Sequence, residues 1–219
     1  MKKIIDIITI FPEVCGPYFQ ASILGRAQKK KLLDLRVHDL RDFAKNKHNR
    51  VDDTPYGGGP GMVMQVEPFD RALKKIKKKR KKEKIRVILT SASGKRFTQK
   101  DAKRLAKYDQ VIFLCGRYEG VDARVEKHIA DESLSIGDYV LTGGELPALV
   151  MSDAIARMVP GVLGKAESLE TESHTVEGVL EYPQYTKPEK YGKWSVPKIL
   201  LSGDHEKIAE WRKNNSQGL

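Results

Sequence analysis

Apolar segments of strand length alternate with helical segments along most of this chain, and this alternation constrains its fold more than any other feature. Predicted strands cover Lys3–Phe11, Leu32–Leu40, Arg86–Ser91, Gln110–Cys115 and Tyr139–Leu141. Predicted helices cover Tyr18–Lys30, a segment opened by Pro68, a segment capped by Thr98 with Asp101, Val121–Ala130 and Leu146–Met158. Strands that alternate with helices favour a mostly parallel sheet covered by helices. The sequence therefore predicts an α/β fold.

The end of this alternation marks a predicted domain boundary. Val159-Pro160-Gly161 follows the last of these helices, and Gly164–Glu177 is polar, acidic and weakly patterned. Two tryptophans, several prolines and a final helix near Asp204–Lys213 come later. Because 219 residues suit one large domain with a small appendage, we expect a domain at 1–160, a flexible linker at 161–179 and a small, mainly helical domain at 180–219.

The balance of charge indicates a polyanionic partner. The chain carries a formal net charge of +11 and a pI near 9.5, so nucleic acid is the leading candidate. The run KKIKKKRKKEK, from Lys74 to Lys84, adds to this charge, although such runs are more often solvated helix faces. No basic amphipathic helix with an aromatic face favours a membrane partner, and no apolar stretch approaches the length of a membrane span.

The two cysteines, Cys15 and Cys115, predict buried free thiols in a reducing compartment. Both lie in or beside apolar runs, and neither belongs to a CxxC pair. The first residues are not expected to form a signal peptide, because Asp6 interrupts an apolar run that is already too short. We therefore expect a cytoplasmic protein. The five histidines show no metal-ligand spacing, and no metal site is predicted.

Two glycine-rich segments, LCGRYEGVDARV and SIGDYVLTGGELP, follow apolar runs in the region Leu114–Pro147. Glycines just past a strand let the backbone approach a ligand closely, and here they cluster with Glu119, Asp138 and two tyrosines. One such loop would be read as a tight turn, whereas two in succession favour a site for a small, flat, polar molecule. Neither GxGxxG in the required context nor GxxxxGK[ST] occurs, so the common nucleotide-binding motifs do not apply.

These motifs resemble those of the bacterial tRNA (guanine-N1)-methyltransferases of the SPOUT superfamily. The resemblance rests on YGGGPGMVM, the two glycine-rich segments, PGVLG, the opening strand ending IFPE, LEYPQYTKP and VPKILLSGDHEKI, and so spans nearly the whole chain. It implies an α/β domain with a deep trefoil knot and a homodimer with its active sites at the subunit interface. It also implies methyl transfer from S-adenosylmethionine to N1 of the guanine just 3′ to the anticodon, with tRNA rather than DNA as partner, and magnesium dependence.

The resemblance implies a methyl-donor pocket made of three pieces. Where side chains are small, backbone amides and carbonyls can form hydrogen bonds with an adenine. A carboxylate such as Glu119 would balance the sulfonium charge of the donor. Without the family, Glu119 would be read as a charge that favours a helix N-terminus. The implied donor-binding residues are Ser91 and Gly94; Gly116, Tyr118 and Glu119; and Ser135, Ile136, Gly137, Tyr139, Leu141, Gly143 and Gly144.

The resemblance also implies two catalytic residues. Methylation of N1 requires a base to take its proton, and charge that builds on the adjacent carbonyl oxygen requires a cation. In LETESHT the base corresponds to Glu172, with Glu170 as the nearest alternative, and the cation corresponds to Arg157. From the residues alone, Arg157 is equally a surface charge at a helix C-terminus.

Contacts to the RNA are implied for two loops and for the C-terminal domain, which by analogy clamps the anticodon stem. The implied substrate-binding residues are His48, Asn49, Arg50, Tyr56, Gly58, Gly59 and Ser173. Two departures from the family pattern affect fine geometry: Thr90 and Ala92 replace a leucine and a proline, and the sequence closes on NNSQGL sooner than in typical members.

Two other functions remain open. Another SPOUT enzyme that modifies a ribose 2′-hydroxyl would need no carboxylate to deprotonate a guanine, so Glu172 beside Ser173 argues mildly against it. A non-catalytic RNA-binding protein would suit the charge of the chain. Such a protein has no use for the two acidic, glycine-rich loops near Glu119 and Asp138.

Overall fold

The structure is a computed structural model that describes residues 2–77, 84–164, 173–174 and 179–216. The chain divides into two compact units, Met1–Gly164 and Lys165–Leu219. The first unit contains an α/β fold, as the sequence predicts. Five strands of its described part form a parallel sheet in the order β2-β1-β6-β5-β7. These strands are β1 (Lys3–Thr9), β2 (Leu33–Asp39), β5 (Ile85–Arg96), β6 (Gln110–Cys115) and β7 (Glu132–Ser135).

Four shorter strands form two antiparallel pairs. One pair is β3 (Asp52–Asp53) with β4 (Val63–Met64), and the other is β8 (Lys190–Tyr191) with β9 (Trp194–Ser195). The central strands of the main sheet are isoleucine- and valine-rich, as expected for strands buried on both faces. All seven residues of β1 and all six of β6 are buried.

The fifth strand of the main sheet differs from the prediction. The predicted strand Tyr139–Leu141 is wrong, because Tyr139 lies in a bend and the next two residues are irregular, and β7 lies earlier in the chain. Its sequence ESLS is mostly polar, so no apolar pattern reveals it. Ion pairs hold this edge strand instead: Glu132 accepts hydrogen bonds from Arg86 on β5 and from Arg104, each at 2.8 Å. Burial alone would raise the pKa of Glu132, but hydrogen bonds from the two arginines outweigh it and lower the pKa.

The described helices are α1 (Pro12–Gln20), α2 (Ser22–Lys29), α3 (Val66–Lys77), α4 (Gln99–Leu105), α5 (Ala123–His128), α6 (Glu145–Arg157) and α7 (His205–Asn215), with short 3-10 turns at Leu40–Phe43 and Lys198–Leu201. The capping box at α4 is confirmed, since Thr98 and Asp101 each accept from the backbone of the other. The predicted helix Tyr18–Lys30 is two helices, because Ala21 is extended between them. Most of the lysine-rich run lies outside the described residues, which show α3 up to Lys77.

Two apolar clusters, one on each face of the sheet, form the core of the first unit. Alternate residues of β1 point to opposite faces, so Ile5 and Ile7 pack with residues of α1, α2, α4 and α6, whereas Ile8 packs with residues of α3 and α5. Helices on both faces leave the ends of the strands as the place for a site. Cys15 and Cys115 are both free and buried, which confirms the prediction that the two thiols are unpaired and buried.

The second unit is small and rich in aromatic residues. Its helix α7 begins after Asp204, whose side chain accepts a hydrogen bond from the backbone N–H of Lys207. Trp211 of this helix contacts the rings of Tyr182 and Tyr185 edge to face. None of the helices in the described part of the chain combines the length and apolar character that a membrane span requires.

Candidate active site

A cavity of about 320 Å³ lies at the carboxyl ends of β5, β6 and β7. Ligands of parallel α/β sheets bind at this edge, because the loops that leave the strands converge there. Three loops form its walls, one after each strand. They contribute Leu89 to Ser93, Gly116 to Val121, and Leu134 to Ile136 with Tyr139 to Gly144, and Pro147 of α6 completes the lining.

The first wall is an interruption of β5 itself. Leu134 of β7 pairs with Thr90 and again with Lys95, so residues 91–94 leave the ladder and loop outward. The Oγ atoms of Ser91 and Ser93 lie 2.9 Å apart across this loop. The loop therefore lines the cavity with small polar side chains and backbone.

The second wall, after β6, is held very close to the third. The backbone N–H of Gly144 donates to the carbonyl of Gly116 at 2.9 Å. A Cβ atom on Gly144 would lie 2.8 Å from the Cα of Cys115 and would collide with Thr90. Only glycine permits this approach, which holds the two loops against each other at the cavity.

The third wall, after β7, presents large side chains to solvent. Tyr139, Val140 and Leu141 are exposed around the mouth of the cavity. The hydroxyl of Ser135 donates to the carbonyl of Gly137 at 2.8 Å, which tightens the turn that leaves β7. An ion pair between Arg96 and Asp138 joins this loop to the end of β5.

An ion pair at the cavity wall, between Arg117 and the buried Glu145, was not predicted from the sequence. Arg117 donates to Glu145 at 2.9 Å and to the carbonyl of Thr142 at 3.2 Å, and its guanidinium lies 4.5 Å from the centroid of the Phe11 ring. The Glu145 side chain is 1% exposed and also accepts from Thr9 at 2.5 Å. Arg117 thus ties the loop after β6 to the loop after β7. Both residues lie within the glycine-rich motifs, but nothing in the spacing shows that they pair.

A further glycine-rich loop, the Tyr56–Met62 loop, lies beside the cavity. The backbone N–H of Glu119 donates to the carbonyl of Met62 at 3.1 Å. Gly61 has a φ of +77°, and a Cβ there would lie 2.6 Å from the Cγ of Glu119. This contact brings the predicted donor-binding loop against the predicted substrate loop. Tyr56 is fully exposed, and Gly58 and Gly59 form the exposed turn that follows it.

The other predicted substrate segment, His48-Asn49-Arg50, is an exposed turn. Asn46 organises it: its Oδ1 accepts from the backbone N–H groups of His48 and Arg50 at 3.2 and 2.8 Å, and its Nδ2 donates to the carbonyl of Arg50. Asn46 was not predicted, although asparagine commonly stabilises turns in this way. The turn leaves its basic side chains free to face a partner.

Ten of the twelve predicted donor-binding residues line the cavity. They are Ser91, Gly116, Tyr118, Glu119, Ser135, Ile136, Tyr139, Leu141, Gly143 and Gly144. The other two do not line it. A Cβ on Gly94 would lie 2.7 Å from the backbone N of Leu134, and one on Gly137 would collide with the Tyr139 ring. Both glycines therefore allow close packing of the walls.

The predicted catalytic residues lie away from this cavity or outside the described residues. The cavity adjoins the first turn of α6, whereas Arg157 is the last of its 13 residues. The helix rises roughly 18 Å between them, and Arg157 does not line this cavity. Glu172 and the alternative Glu170 lie outside the described residues. Ser173 is described, and its hydroxyl accepts from the backbone N–H of Glu181 at 2.9 Å.

The cavity combines polar groups, such as the Ser91 hydroxyl and the Glu119 carboxylate, with apolar side chains such as Leu134 and Ile136. Cys115, the last residue of β6, does not line the cavity, and burial raises the pKa of its thiol well above the ordinary value, which disfavours a nucleophilic role. In the part of the chain that the structure describes, no three His, Cys, Asp or Glu side chains converge as metal ligands would. The arrangement suits a polar, planar ligand held largely by main-chain groups.

Comparison with known proteins assigns the chain to a family. The family model of tRNA (Guanine-1)-methyltransferase TrmD matches residues 1–218. The chain belongs to this family. The resemblance noted from the motifs is therefore confirmed, and two of the three walls of the cavity, those after β6 and β7, are formed by segments that carried it.

Individual relatives within the TrmD family are similar over most of their length. The chain is 54% identical over 212 residues to the tRNA (guanine-N(1)-)-methyltransferase of Dictyoglomus turgidum. The aligned residues cover 97% of this chain and 84% of the relative. The chain is 50% identical over 217 residues to the enzyme of the same name from Arthrobacter sp., covering 96% and 78%. It is also 50% identical over 212 residues to that from Desulforamulus reducens, covering 97% and 83%.

Proposed function

We propose that the protein transfers a methyl group from S-adenosylmethionine to N1 of the guanosine just 3′ to the anticodon of tRNA. The observation that carries this proposal is the cavity itself: three loops that expose main-chain groups, at the carboxyl ends of β5, β6 and β7, in a chain of the TrmD family. The net charge of +11 suits a tRNA substrate.

The cavity residues fit the methyl donor. Main-chain amides and carbonyls of the walls near Gly116, Ile136 and Gly144 offer the donors and acceptors that an adenine requires. Glu119, at the junction with the Tyr56–Met62 loop, places a carboxylate where it balances a sulfonium charge. The bound donor supplies an electrophilic methyl group. The protein supplies its orientation toward the incoming base.

Removal of the N1 proton is the chemical problem that the protein must solve. Methyl transfer forms the bond from N1 to the methyl carbon, breaks the carbon–sulfur bond and leaves the proton on a base. We assign that base to Glu172, with Glu170 as the alternative, and we assign to Arg157 the stabilisation of the charge that builds on the guanine oxygen. The target base swings out of its loop to reach the cavity, as base-modifying enzymes commonly require.

The position of Arg157 supports a homodimer whose active site combines two protomers. Because Arg157 lies roughly one helix length from the cavity of its own protomer, a second copy must bring its own Arg157 to that cavity. An exposed apolar face on α1 and α6 offers the contact surface. It comprises Val14 and Tyr18 on α1 with Leu146 and Val150 on α6, and a hydrogen bond of 2.6 Å from Tyr18 to Asp153 joins the two helices.

Several finer assignments rest on the resemblance. We propose that the first unit contains the trefoil knot, that residues 161–179 link it to the C-terminal domain, and that 180–219 contact the anticodon stem. His48, Asn49, Arg50, Tyr56, Gly58, Gly59 and Ser173 are proposed to contact the RNA. The described residues offer no magnesium ligand set, so no step is assigned to that ion. A tRNA substrate and two unpaired cysteines favour a cytoplasmic protein.

Nucleoside mass spectrometry tests the proposed function. The protein is incubated with labelled S-adenosylmethionine and a tRNA transcript, and the methylated atom is mapped. We expect label on N1 of the guanosine 3′ to the anticodon, and none when that guanosine is replaced by adenosine. Label on a ribose 2′-oxygen would favour the other SPOUT reaction, and failure to bind the donor in calorimetry would favour a non-catalytic RNA-binding protein.

A further inference from the structure

The β8–β9 hairpin presents two aromatic rings to solvent. Tyr191 and Trp194 are directly paired across the hairpin. Their rings stack with centroids 6.0 Å apart and an interplanar angle of 29°. They are 69% and 75% exposed. Gly192 and Lys193 form the turn between them, and Gly192 has a φ of +58°. The hairpin thus holds two rings side by side with most of their surface uncovered.

Folding of the second unit does not account for this exposure. Cross-strand aromatic pairs stabilise a sheet, but each strand here has two residues, and a lone hairpin of this size is marginal in water. The aromatic contacts of α7 involve other residues than the hairpin pair: Trp211 packs edge to face against Tyr182 and Tyr185. The uncovered pair therefore has the composition of a binding surface, since exposed Trp and Tyr are enriched where partners bind.

The charge around the rings identifies the partner class. The segment 187–198, KPEKYGKWSVPK, carries four lysines and one glutamate, a net charge of 4 − 1 = +3. Lys190 precedes one ring and Lys193 precedes the other. Lysine is depleted at protein–protein interfaces, whereas aromatic rings with flanking cations are the usual platform for single-stranded nucleic acid.

We propose that this hairpin, residues 190–195, stacks an unpaired base of the tRNA against Tyr191 or Trp194 while Lys190 and Lys193 contact the adjacent phosphates. The inference rests on the proposed function for its choice of RNA. It adds a base-binding element, outside the methyl-donor cavity, that contributes affinity without taking part in the chemistry.

Substitution of Trp194 tests the stacking. Trp194→Ala should weaken binding of a tRNA transcript roughly 5- to 150-fold, and Trp194→Phe, which keeps a ring, should remain much closer to wild type. Lys193→Gln should lower the slope of log affinity against log salt by about 1. Leu201→Ala is the matched control, because Leu201 is an exposed apolar residue of the same unit. Binding of S-adenosylmethionine should not change in any of these variants.

Failure of this inference is distinguishable from failure of the proposed function. If wild-type protein methylates N1 but Trp194→Ala binds tRNA as tightly as Leu201→Ala, the hairpin assignment is overturned and the enzyme assignment stands. If Trp194→Ala changes the oligomeric state instead of the tRNA affinity, the occupant is a second copy and the inference is again wrong. Should Trp194→Ala fail to fold, quenching of tryptophan fluorescence by tRNA decides, since wild type should be quenched more than Trp194→Phe.

Discussion

Removal of the Arg117 side chain should both destabilise the first unit and loosen the walls of the cavity. Arg117→Ala leaves the Glu145 carboxylate, 1% exposed, without its cation. Breaking a buried pair by deleting one partner costs about 3–5 kcal/mol. For a chain of this length, each kcal/mol lowers Tm by about 2–4 °C, so the variant should melt roughly 6–20 °C below wild type. Thermal unfolding followed by circular dichroism measures this change.

A double variant separates the buried charge from simple loss of packing. Arg117→Ala/Glu145→Gln removes the orphaned charge but keeps an amide that accepts from Thr9, so it should be more stable than Arg117→Ala alone. Arg124→Ala is the matched control: Arg124 is 61% exposed and pairs with Asp122 at the surface, and such pairs contribute about 0–1 kcal/mol. A buried charge at Glu145 is refuted as the cause if Arg117→Ala has the same Tm as Arg124→Ala. It is also refuted if the double variant is no more stable than Arg117→Ala.

Four further outcomes are expected. Gly144→Ala should weaken S-adenosylmethionine binding at least about tenfold in calorimetry, because its Cβ would lie 2.8 Å from the backbone of β6; unchanged affinity would mean that the walls separate freely. Glu132→Gln should be less stable than wild type at pH 7, and the difference in unfolding free energy should shrink as pH falls below 4.5, because the folded pKa of Glu132 lies below its ordinary 4.5. Urea unfolding at pH 7 and about pH 3 measures this difference. A difference that stays constant with pH would contradict the prediction. Val150→Glu should convert dimer to monomer in analytical ultracentrifugation and abolish methyl transfer, whereas an active monomer would exclude a shared site. Mixing Arg157→Ala with Gly144→Ala protomers at a low donor concentration should give more methyl transfer than either variant alone, if each cavity uses the arginine of the partner.

The sequence predicted the elements whose patterns are strong. Buried strands such as Gln110–Cys115 and the capped helix after Thr98 were predicted because apolar runs and capping pairs are local signals. β7 was missed because its stability comes from ion pairs with Arg86 and Arg104, which lie far away in the chain. Tyr139–Leu141 was assigned to a strand for its β-forming composition, yet those side chains surround the mouth of a cavity.

The parts of the candidate site that lie within sequence motifs were predicted from the sequence. Glycine-rich loops after strands predict close backbone approach, and the structure places ten of the twelve residues at one cavity. The Arg117–Glu145 pair was not predictable, because 27 residues separate its members in the chain and only the fold brings them to 2.9 Å. The position of Arg157 at the C-terminal end of α6, in contrast, was predicted, since the predicted helix Leu146–Met158 also ends beside it.

The detour of residues 91–94 forms one wall of the cavity. β7 pairs with β5 on both sides of the detour, so a straightened β5 would run its ladder unbroken and remove that wall. The size of this wall therefore depends on the number of residues in β5 that leave the ladder with β7. Shortening this detour by one residue would alter pairing register and ligand access together, so changes in the size of molecule admitted should arise from insertions and deletions here more readily than from side-chain replacement.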